Sequence, residues 1–302
     1  MDNFEVIGID HGWSHIKTWN EIFPTAIHEV TTEPAFWDDV LEYEGKYYKV
    51  GGERLDVKDN KVGNDDFYLL TLVALAKELR HRGKQESNVV LAAGLPATRF
   101  GDEKKGFFEY LSQNEEINFI FEQRPYHIKI AKVAIFPQCY AAVVEQVASF
   151  GQKVVVVDIG SWTIDIIPVV NKKPDDTNGN TISEGLITCM RSINKECSRQ
   201  FNEKLDELDI QHYIMTKHTN LPEEFKAIMD KELVNFAERI YNSLREEQYS
   251  LKTMQFYFVG GGASVMKNFG GYEQSNIKYN MDVHANAKGF EKMARIALNA
   301  RR

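Results

Sequence analysis

Short apolar runs alternate along the chain with longer segments of helical composition. The runs FEVIGID (4–10), NVVLAAGLP (88–96) and VVVVDIG (154–160) are continuous and apolar, as buried strands are. Residues 15–19 and 163–170 follow the first and third of these runs after tight turns, and are predicted to pair with them as hairpins. Further strands are predicted at 23–30, on both sides of Glu44-Gly45, and at 117–123, 127–136, 254–259 and 277–280.

Helices are predicted where helix formers extend over ten residues or more. Residues 67–82 and 102–113 have this composition, and residues 183–248 are mostly helical with a break near 216–222. Residues 137–151 are predicted to form a helix with proline in its first turn and glycine after its last. A short helix should follow the glycines at 260–262, a helix at 286–302 should end the chain, and residues 171–180 should form a loop.

A long-range repeat organises these elements. A hairpin whose first strand ends in an aspartate occurs twice, at Asp10 and at Asp158, about half the chain apart. More strands and helices follow each hairpin, which is the layout of two similar α/β halves. We therefore expect one domain at 1–148, to which the helix at 286–302 returns, and a second domain at 149–285.

Composition narrows the functional classes. The chain has 302 residues, a formal net charge of −8 and a pI near 5.6, so broad charge-driven binding of nucleic acid is disfavoured. Three cysteines without a CxxC pair indicate free thiols in a reducing cytoplasm. The sequence also lacks an apolar run of membrane-spanning length and a secretory leader, so a cytoplasmic protein that does not bind membranes is expected.

The first hairpin, IDHGWSHIK, combines groups that suit a phosphorylated ligand. Gly12 lets the backbone approach closely, and successive amides in such a turn form an anion site. Ser14 adds a hydroxyl donor, and Lys17 adds a charge that can reach a β- or γ-phosphate. Asp10 suits a hydrated Mg²⁺. Trp13 either shields the phosphates or packs in the core.

The second hairpin, DIGSWTID, repeats this arrangement. Asp158 supplies a second acid for the metal, and Asp165 is a candidate for orienting either the attacking water or the waters bound to the metal. The predicted phosphate contacts in this turn are Gly160, Ser161 and Thr163, with Trp162 in the position of Trp13. Aspartate and glycine are also common in ordinary turns, so each hairpin alone has a purely structural alternative.

A run of glycines at 260–262 follows the predicted strand FYFV. Gly260, Gly261 and Gly262 would let the chain pass flat against adenine and ribose, with Ala263 beginning a helix whose N-terminus suits phosphate. A plain strand-to-helix turn is the alternative. The chain contains neither GxGxxG nor GxxxxGK[ST] nor a kinase catalytic loop, so those nucleotide-binding folds are not supported.

These motifs together resemble the actin, chaperone and sugar kinase superfamily, and within it the ParM/StbA-type bacterial actin-like ATPases. The two phosphate motifs are IGIDHGWSHIK and VVVDIGSWTID, the adenosine motif is VGGGA, and IFPQCYAAVVEQ matches a connecting segment. AAGLP and VHANAKGFEKMAR are also similar. The resemblance implies duplicated actin-like (ribonuclease H-like) α/β domains with a nucleotide cleft between them. The second connecting motif departs from the family pattern, because SEGLITCMR keeps only Gly185.

The resemblance also implies roles for particular residues. Gln138 stands where the family places the residue that positions the hydrolytic water, although a capping or surface glutamine is the alternative. A neutral amide at the start of a helix orients water without acting as a strong base, which suits slow hydrolysis. Gly185 is expected to contact the nucleotide, and Arg191 or Asn194 to contact the ribose. Gln138, Asp165 and Lys17 are thus the predicted catalytic residues, with Asp10 and Asp158 as the metal-binding pair.

The implied function is an ATPase, with GTP as a possible substitute, whose hydrolysis is coupled to head-to-tail filament assembly. Such filaments would move plasmid or mobile-element DNA through a DNA-binding adaptor, without direct contact between this chain and nucleic acid. One alternative is a sugar or acetate kinase on the same scaffold, which would transfer phosphate to a small molecule. Another is a regulator that binds ATP without polymerising.

Overall fold

The computed structural model describes residues 4–56, 61–175, 177–272 and 274–300. The chain divides into two compact units. Unit 1 comprises Met1–Glu145 with His284–Arg302, and unit 2 comprises Gln146–Val283. The domain limits expected from the sequence, 1–148 with 286–302 and 149–285, stay a prediction.

Unit 1 is built on a mixed sheet. Among the described residues its strand order is β3-β2-β1-β7-β9-β8-β5-β6-β4, and the three central strands β1, β7 and β9 are parallel to one another. The strands are β1 (Phe4–His11), β2 (His15–Lys17), β3 (Ile22–Pro24), β4 (Ile27–Val30), β5 (Val40–Tyr43), β6 (Lys46–Val50), β7 (Glu86–Leu95), β8 (Glu116–Phe121) and β9 (Arg124–Pro137). The predicted hairpin at the start of the chain is confirmed by the antiparallel pairing of β1 with β2.

Three helices cover this sheet: α1 (Asp66–His81), α2 (Phe100–Leu111) and α7 (Ala285–Asn299). Residues 67–79 of α1 are all buried, because its leucines and alanines face the core on every side. The helix ends at His81, and Gly83, two residues later, has a φ of +69° in the left-handed region. The main core of unit 1 therefore lies between α1 and the sheet.

Helix α7 packs against the other face of the sheet at very short distance. A Cβ added to Gly8 would lie 2.0 Å from the carbonyl oxygen of Ala287, and one added to Gly94 would lie 2.1 Å from the Phe290 ring. A Cβ on Gly289 of the helix would lie 2.0 Å from the carbonyl oxygen of Ala141. Glycine at these positions lets α7 pack directly against this face of the unit 1 sheet.

Unit 2 has a smaller sheet and four helices among its described residues. Its strand order is β12-β11-β10-β14-β15, and β13 pairs with β11. The strands are β10 (Lys153–Ile159), β11 (Ile164–Val170), β12 (Lys173–Pro174), β13 (Asn180–Ile182), β14 (Gln255–Val259) and β15 (Ile277–Asn280). The helices are α3 (Leu186–Phe201), α4 (Glu207–Thr216), α5 (Glu223–Glu246) and α6 (Ala263–Phe269). The second predicted hairpin is confirmed by the pairing of β10 with β11.

The helix predicted at residues 137–151 is wrong. Residues Ala141–Val143 and Val147–Ser149 form two separate short 3-10 helices instead. Cys139 has a φ of +68°, which an α-helix does not tolerate. The close approach of α7 at Ala141 also constrains this segment. Gln138 consequently lies in a turn after β9, and its predicted position at a helix start is also wrong.

Two smaller differences concern the loop at 171–180 and the end of the chain. Lys173 and Pro174 within the predicted loop pair with β11, and Asn180 begins β13. Residues 301–302 of the predicted final helix lie outside the described residues.

A buried ionic network joins the base of the first hairpin to α1 and α7. The Glu78 carboxylate on α1 accepts hydrogen bonds from the Thr18 hydroxyl (2.6 Å), the Asn20 side chain (2.8 Å) and Arg82 (2.9 Å). Arg82 also pairs with Glu291 of α7 at 2.9 Å. Burial raises the pKa of Glu78, but the hydrogen bonds from Thr18 and Arg82 outweigh burial, so the pKa lies below its ordinary value.

We expect the substitution Glu78→Gln to lower the free energy of unfolding by about 3 kcal/mol, because it leaves buried donors and Arg82 without their carboxylate. Urea unfolding measures this change. The matched control is Glu109→Gln on α2, whose carboxylate is 63% exposed and lies 3.9 Å from Lys105. That exposed pair should contribute less than about 0.5 kcal/mol. Equal effects of the two substitutions would contradict the importance of the network.

Candidate nucleotide site

The first hairpin brings three predicted site residues together in unit 1. The register of β1 and β2 sets Asp10 directly opposite Lys17, and the two side chains form an ion pair of 3.0 Å. Gln138 donates from Nε2 to the other carboxylate oxygen of Asp10 at 3.1 Å. Asp10 is buried. The carboxylate of Asp10, the predicted metal-binding acid, thus accepts from both the predicted phosphate-binding lysine and the predicted water-orienting amide.

The loop of the first hairpin has its carbonyl groups held by protein donors. Lys61 Nζ donates to the carbonyl oxygen of His11, and the Thr25 hydroxyl donates to that of Gly12 at 2.6 Å. The described peptide bonds are trans, so each amide N–H points opposite to the carbonyl of its own peptide unit. The N–H groups of Gly12 and Trp13 therefore point away from Lys61 and Thr25. Two successive amides of one turn are a type of donor pair that suits an anion.

Gly12 is sterically required in this loop. A Cβ at this position would lie 2.6 Å from the carbonyl oxygen of His15 and 3.3 Å from Lys17 Nζ. Ser14, the other predicted donor, is buried, and its carbonyl oxygen accepts from the Thr25 amide at 2.9 Å. Close contacts within the hairpin itself therefore explain why the turn has glycine at position 12.

Aromatic and charged residues surround the base of this loop. Trp13 packs edge-on against Phe67 with ring centroids 5.3 Å apart, which agrees with a packing role for this residue. Burial lowers the pKa of His11 to about 3, so its imidazole is neutral at pH 7. Its Nε2 lies 2.9 Å from the hydroxyl oxygen of Thr71. His11 therefore adds no positive charge near the loop at pH 7.

In unit 2, the second hairpin is held by the start of α3. The amides of Leu186, Ile187 and Gly185 donate to the carbonyl oxygens of Gly160, Ser161 and Trp162 at 3.0, 2.8 and 3.0 Å. These bonds also satisfy helix-terminal amides that have no partner within α3.

The same geometry orients the amides of the second hairpin. Since each N–H is opposite the carbonyl of its peptide unit, the N–H groups of Ser161, Trp162 and Thr163 all point away from α3. Three consecutive amides on one side of a turn suit phosphate oxygens. The amides of Ser161, Trp162 and Thr163 are therefore the candidate phosphate donors of this hairpin, whereas the Gly160 amide donates to the Thr163 carbonyl oxygen at 2.9 Å within the turn.

Gly185 is the N-cap residue immediately before α3 and lies directly against this turn. A Cβ on Gly185 would be 2.5 Å from the backbone of Ser161 and of Trp162. The one glycine kept in the second connecting motif thus permits the hydrogen bonds between α3 and the hairpin. Arg191, further along α3, stacks over the Trp162 ring at 4.9 Å. Asn194 exchanges two hydrogen bonds with the backbone of Leu205.

Asp158 and Asp165 are opposite one another in the register of β10 and β11, and both are buried. Side chains directly opposite in an antiparallel pair share one face of the sheet, so two acids lie side by side here. Asp165 accepts from the Thr181 hydroxyl at 2.6 Å and from the Thr163 hydroxyl at 3.3 Å.

The glycine loop, residues 260–263, packs against the end of β10. A Cβ on Gly260 would lie 2.4 Å from a carboxylate oxygen of Asp158, and the φ of Gly260 is +82°. A Cβ on Gly262 would lie 2.1 Å from Ile159, whose carbonyl oxygen accepts the Gly262 amide at 3.0 Å. A Cβ added to Gly261 would have no other atom within 4 Å. Ala263 is buried at the start of α6. In unit 2 the structure therefore gathers Asp158, the turn at 160–163, Gly185 and the glycine loop.

Three residues that the sequence analysis did not select also belong to these sites. Lys61 and Thr25 hold the first loop, and Thr181 holds Asp165. Local pattern gives no signal for them, because each acts through a contact with a distant part of its unit. Lys61 lies 50 residues from His11 along the chain, so tertiary information is needed to recognise its role.

The donors of each unit, taken by itself, fit phosphate and, through water, a magnesium ion. Amide surfaces on both hairpins suit phosphate, and the carboxylates of Asp10 and Asp158 suit the water shell that Mg²⁺ retains. The structure holds no group of three or more His, Cys, Asp or Glu side chains able to bind a metal directly, within the residues described. Water-mediated coordination by single carboxylates is compatible with that finding.

We expect Gly260→Ala to lower the free energy of unfolding by about 2 kcal/mol, since alanine is strained at positive φ and its Cβ would displace Asp158. The matched control is Gly261→Ala, one residue away, where a Cβ meets open space. Urea unfolding of both variants tests the difference. If Gly261→Ala were as destabilising as Gly260→Ala, the steric account of this loop would be wrong.

Comparison with solved structures gives close agreement in fold at low identity. ParM of pSK41 in its apo form has a TM-score of 0.75 and 20% identity over 99% of both chains. Ta0583, an archaeal actin homologue crystallised with ADP, has a TM-score of 0.75 and 19% identity, covering 96% of this chain and 99% of the other. The Alp12 filament structure has a TM-score of 0.70 and 16% identity, covering 97% and 98%. A comparison with curated proteins found no significant match.

Across the described residues, no helix combines the length and the apolar character that crossing a membrane requires.

Two family models match successive parts of the chain. The N-terminal domain of actin-like proteins matches residues 8–140, and the C-terminal domain of the archaeal, MreB-like actin homologues matches residues 156–269. The predicted resemblance and fold class are thereby confirmed. The chain thus combines an actin-like N-terminal region with an MreB-like C-terminal region, and it has the fold of the ParM structures.

Proposed function

We propose that this protein is an actin-like ATPase that assembles into filaments when it binds nucleotide, and that it acts in the cytoplasm. The observation that carries the proposal is the orientation of three consecutive amides, those of Ser161, Trp162 and Thr163, by hydrogen bonds from α3. Donors fixed before the ligand arrives stabilise phosphate without the cost of reorganisation. The likeness to an ADP complex and to a filament structure supports nucleotide binding and self-association.

The proposed binding residues divide by the part of the nucleotide they contact. Phosphates are bound by Gly12, Trp13, Ser14 and Lys17 of unit 1 and by the turn at 160–163 of unit 2. The adenosine is bound by the glycine loop, with Gly185 at the start of α3 and Arg191 nearby. ATP is the proposed substrate, and GTP stays an alternative because glycine loops contact a base mainly through backbone.

Hydrolysis is assigned to residues that hold water and charge. Gln138 aligns the attacking water on the γ-phosphate through its side-chain amide. Asp165 aligns the same water through its carboxylate. Lys17 stabilises the charge that develops on the transferred phosphoryl group. Asp10 and Asp158 each take part in binding Mg²⁺ through water. When bound, the ion would neutralise negative charge on the β- and γ-phosphates.

Self-association is proposed to be head to tail, because such contacts extend without closing. The cellular role is proposed to be the movement of plasmid or mobile-element DNA through a DNA-binding adaptor. The acidic chain itself is not expected to bind nucleic acid, since a net charge of −8 opposes binding to phosphate backbones.

We expect Asp158→Ala to lower the rate of ATP hydrolysis by about 100-fold, because the magnesium-bound phosphates lose an acid that positions the ion's water. Phosphate release with Mg-ATP measures the rate. Asp209→Ala, at an exposed position on α4 in the same unit, is the control and should hydrolyse ATP at the wild-type rate. Wild-type turnover no higher than that of Asp158→Ala would remove the ATPase assignment.

We expect light scattering by the wild-type protein to rise when Mg-ATP is added above a critical protein concentration, since the proposal is that the ATP-bound form favours contacts between subunits. ADP serves as the matched nucleotide control and should give a smaller signal. Electron microscopy of the same samples identifies filaments. Hydrolysis without any nucleotide-dependent scattering would favour a regulator that does not polymerise, and phosphate transfer to a sugar or acetate would favour a kinase.

A further inference from the structure

Lys61 is a buried lysine that lies beside the loop of the first hairpin. The whole residue is 8% exposed. Its Nζ donates to the carbonyl oxygen of His11 and lies 5.7 Å from the centroid of the Trp13 ring and 5.8 Å from that of Phe67. A positive charge is therefore enclosed between two aromatic rings and one backbone carbonyl.

Lys77 of the same unit shows how a buried lysine is usually compensated. Its Nζ lies near two aromatic rings as well, 5.7 Å from Phe23 and 5.3 Å from Phe121. It also forms an ion pair of 2.7 Å with Asp39. Lys61, in contrast, forms no ion pair with any carboxylate of the described residues. Buried charges without a paired partner are costly, and they concentrate at functional sites.

The electrostatic surroundings of Lys61 are consistent with this comparison. Burial lowers its pKa to about 8, and the more distant carboxylates of Asp10 and Glu103 offset only part of that effect. Arg99 and Lys17 add further positive charge to the neighbourhood, which also lowers the pKa. An anion bound at the first hairpin would supply the negative charge that this arrangement lacks.

Lys61 also has a direct geometric connection to the anion site. The carbonyl of His11 and the amide of Gly12 belong to one trans peptide unit, so holding the carbonyl fixes the direction of the amide. Thr25 does the same for the next peptide unit through the carbonyl of Gly12. Of these two supports, only Lys61 carries charge.

We propose that Lys61 is a positioning residue for nucleotide phosphates: it aims the Gly12 amide at the phosphate and adds a buried positive charge behind the loop. This inference rests on the proposed function and extends it to a residue outside the phosphate motifs. The effect should grow with phosphate charge, from adenosine through ADP to ATP, because adenosine alone does not use the first hairpin.

The test compares Lys61→Met with Lys77→Met, using calorimetric titration with Mg-ATP, Mg-ADP and adenosine. Methionine keeps the length and packing of the side chain but removes its charge and its donors. We expect Lys61→Met to weaken ATP binding by at least about tenfold and to leave adenosine binding within about twofold of wild type. Lys77→Met should keep the wild-type ratio of ATP to adenosine affinity. Lys61→Arg should recover part of the ATP affinity.

The outcomes separate this inference from the proposed function. If wild type binds ATP and Lys61→Met binds it equally well, the inference is wrong and the proposed function stands. If Lys61→Met weakens ATP and adenosine by the same factor, Lys61 has only a structural role and the inference is again wrong. If wild type binds no ATP, the proposed function fails and this inference fails with it. Should Lys61→Met not fold, Lys61→Gln, which keeps a donor without charge, takes its place against the same criteria.

Discussion

Hydrogen bonds to the carbonyl groups of two hairpin loops are the constraint on which the candidate site depends. A trans peptide couples the direction of each carbonyl to that of the amide in the same unit, so a donor on one side of a loop determines what the other side presents. In the second hairpin, three amides at the start of α3 hold three carbonyls in succession. The surface offered to a phosphate is therefore a consequence of how the loops are supported from behind.

The two hairpins reach this result with different donors. Unit 2 uses neutral backbone amides, which are available because the first turn of any helix has unpaired N–H groups. Unit 1 uses the side chains of Thr25 and Lys61. The repeated sequence pattern thus hides a difference in electrostatics, since one loop is supported by a helix terminus and the other by a buried charge.

Close backbone contacts make these supports possible. Gly185 allows α3 to approach the second hairpin, and Gly260 and Gly262 allow the glycine loop to pass beside Asp158 and Ile159. In unit 1, Gly8 and Gly94 allow α7 to lie against the sheet that bears the first hairpin. The ionic network around Glu78 then links the turn after β2 to α1 and α7. Rigid packing around the loops keeps their donors in place, which suits preorganised binding.

The sequence by itself determined the two hairpins and the aspartates at their strand ends, because apolar runs and turn residues are local signals that a β-ladder satisfies directly. It also predicted most helices and the fold class. Tertiary structure decided the rest. The segment at 137–151 has helical composition, yet a left-handed residue at Cys139 and contact with α7 leave only short 3-10 turns. The role proposed for Lys61 follows only from the folded structure, because its burial and its hydrogen bond to His11 involve residues far apart in sequence.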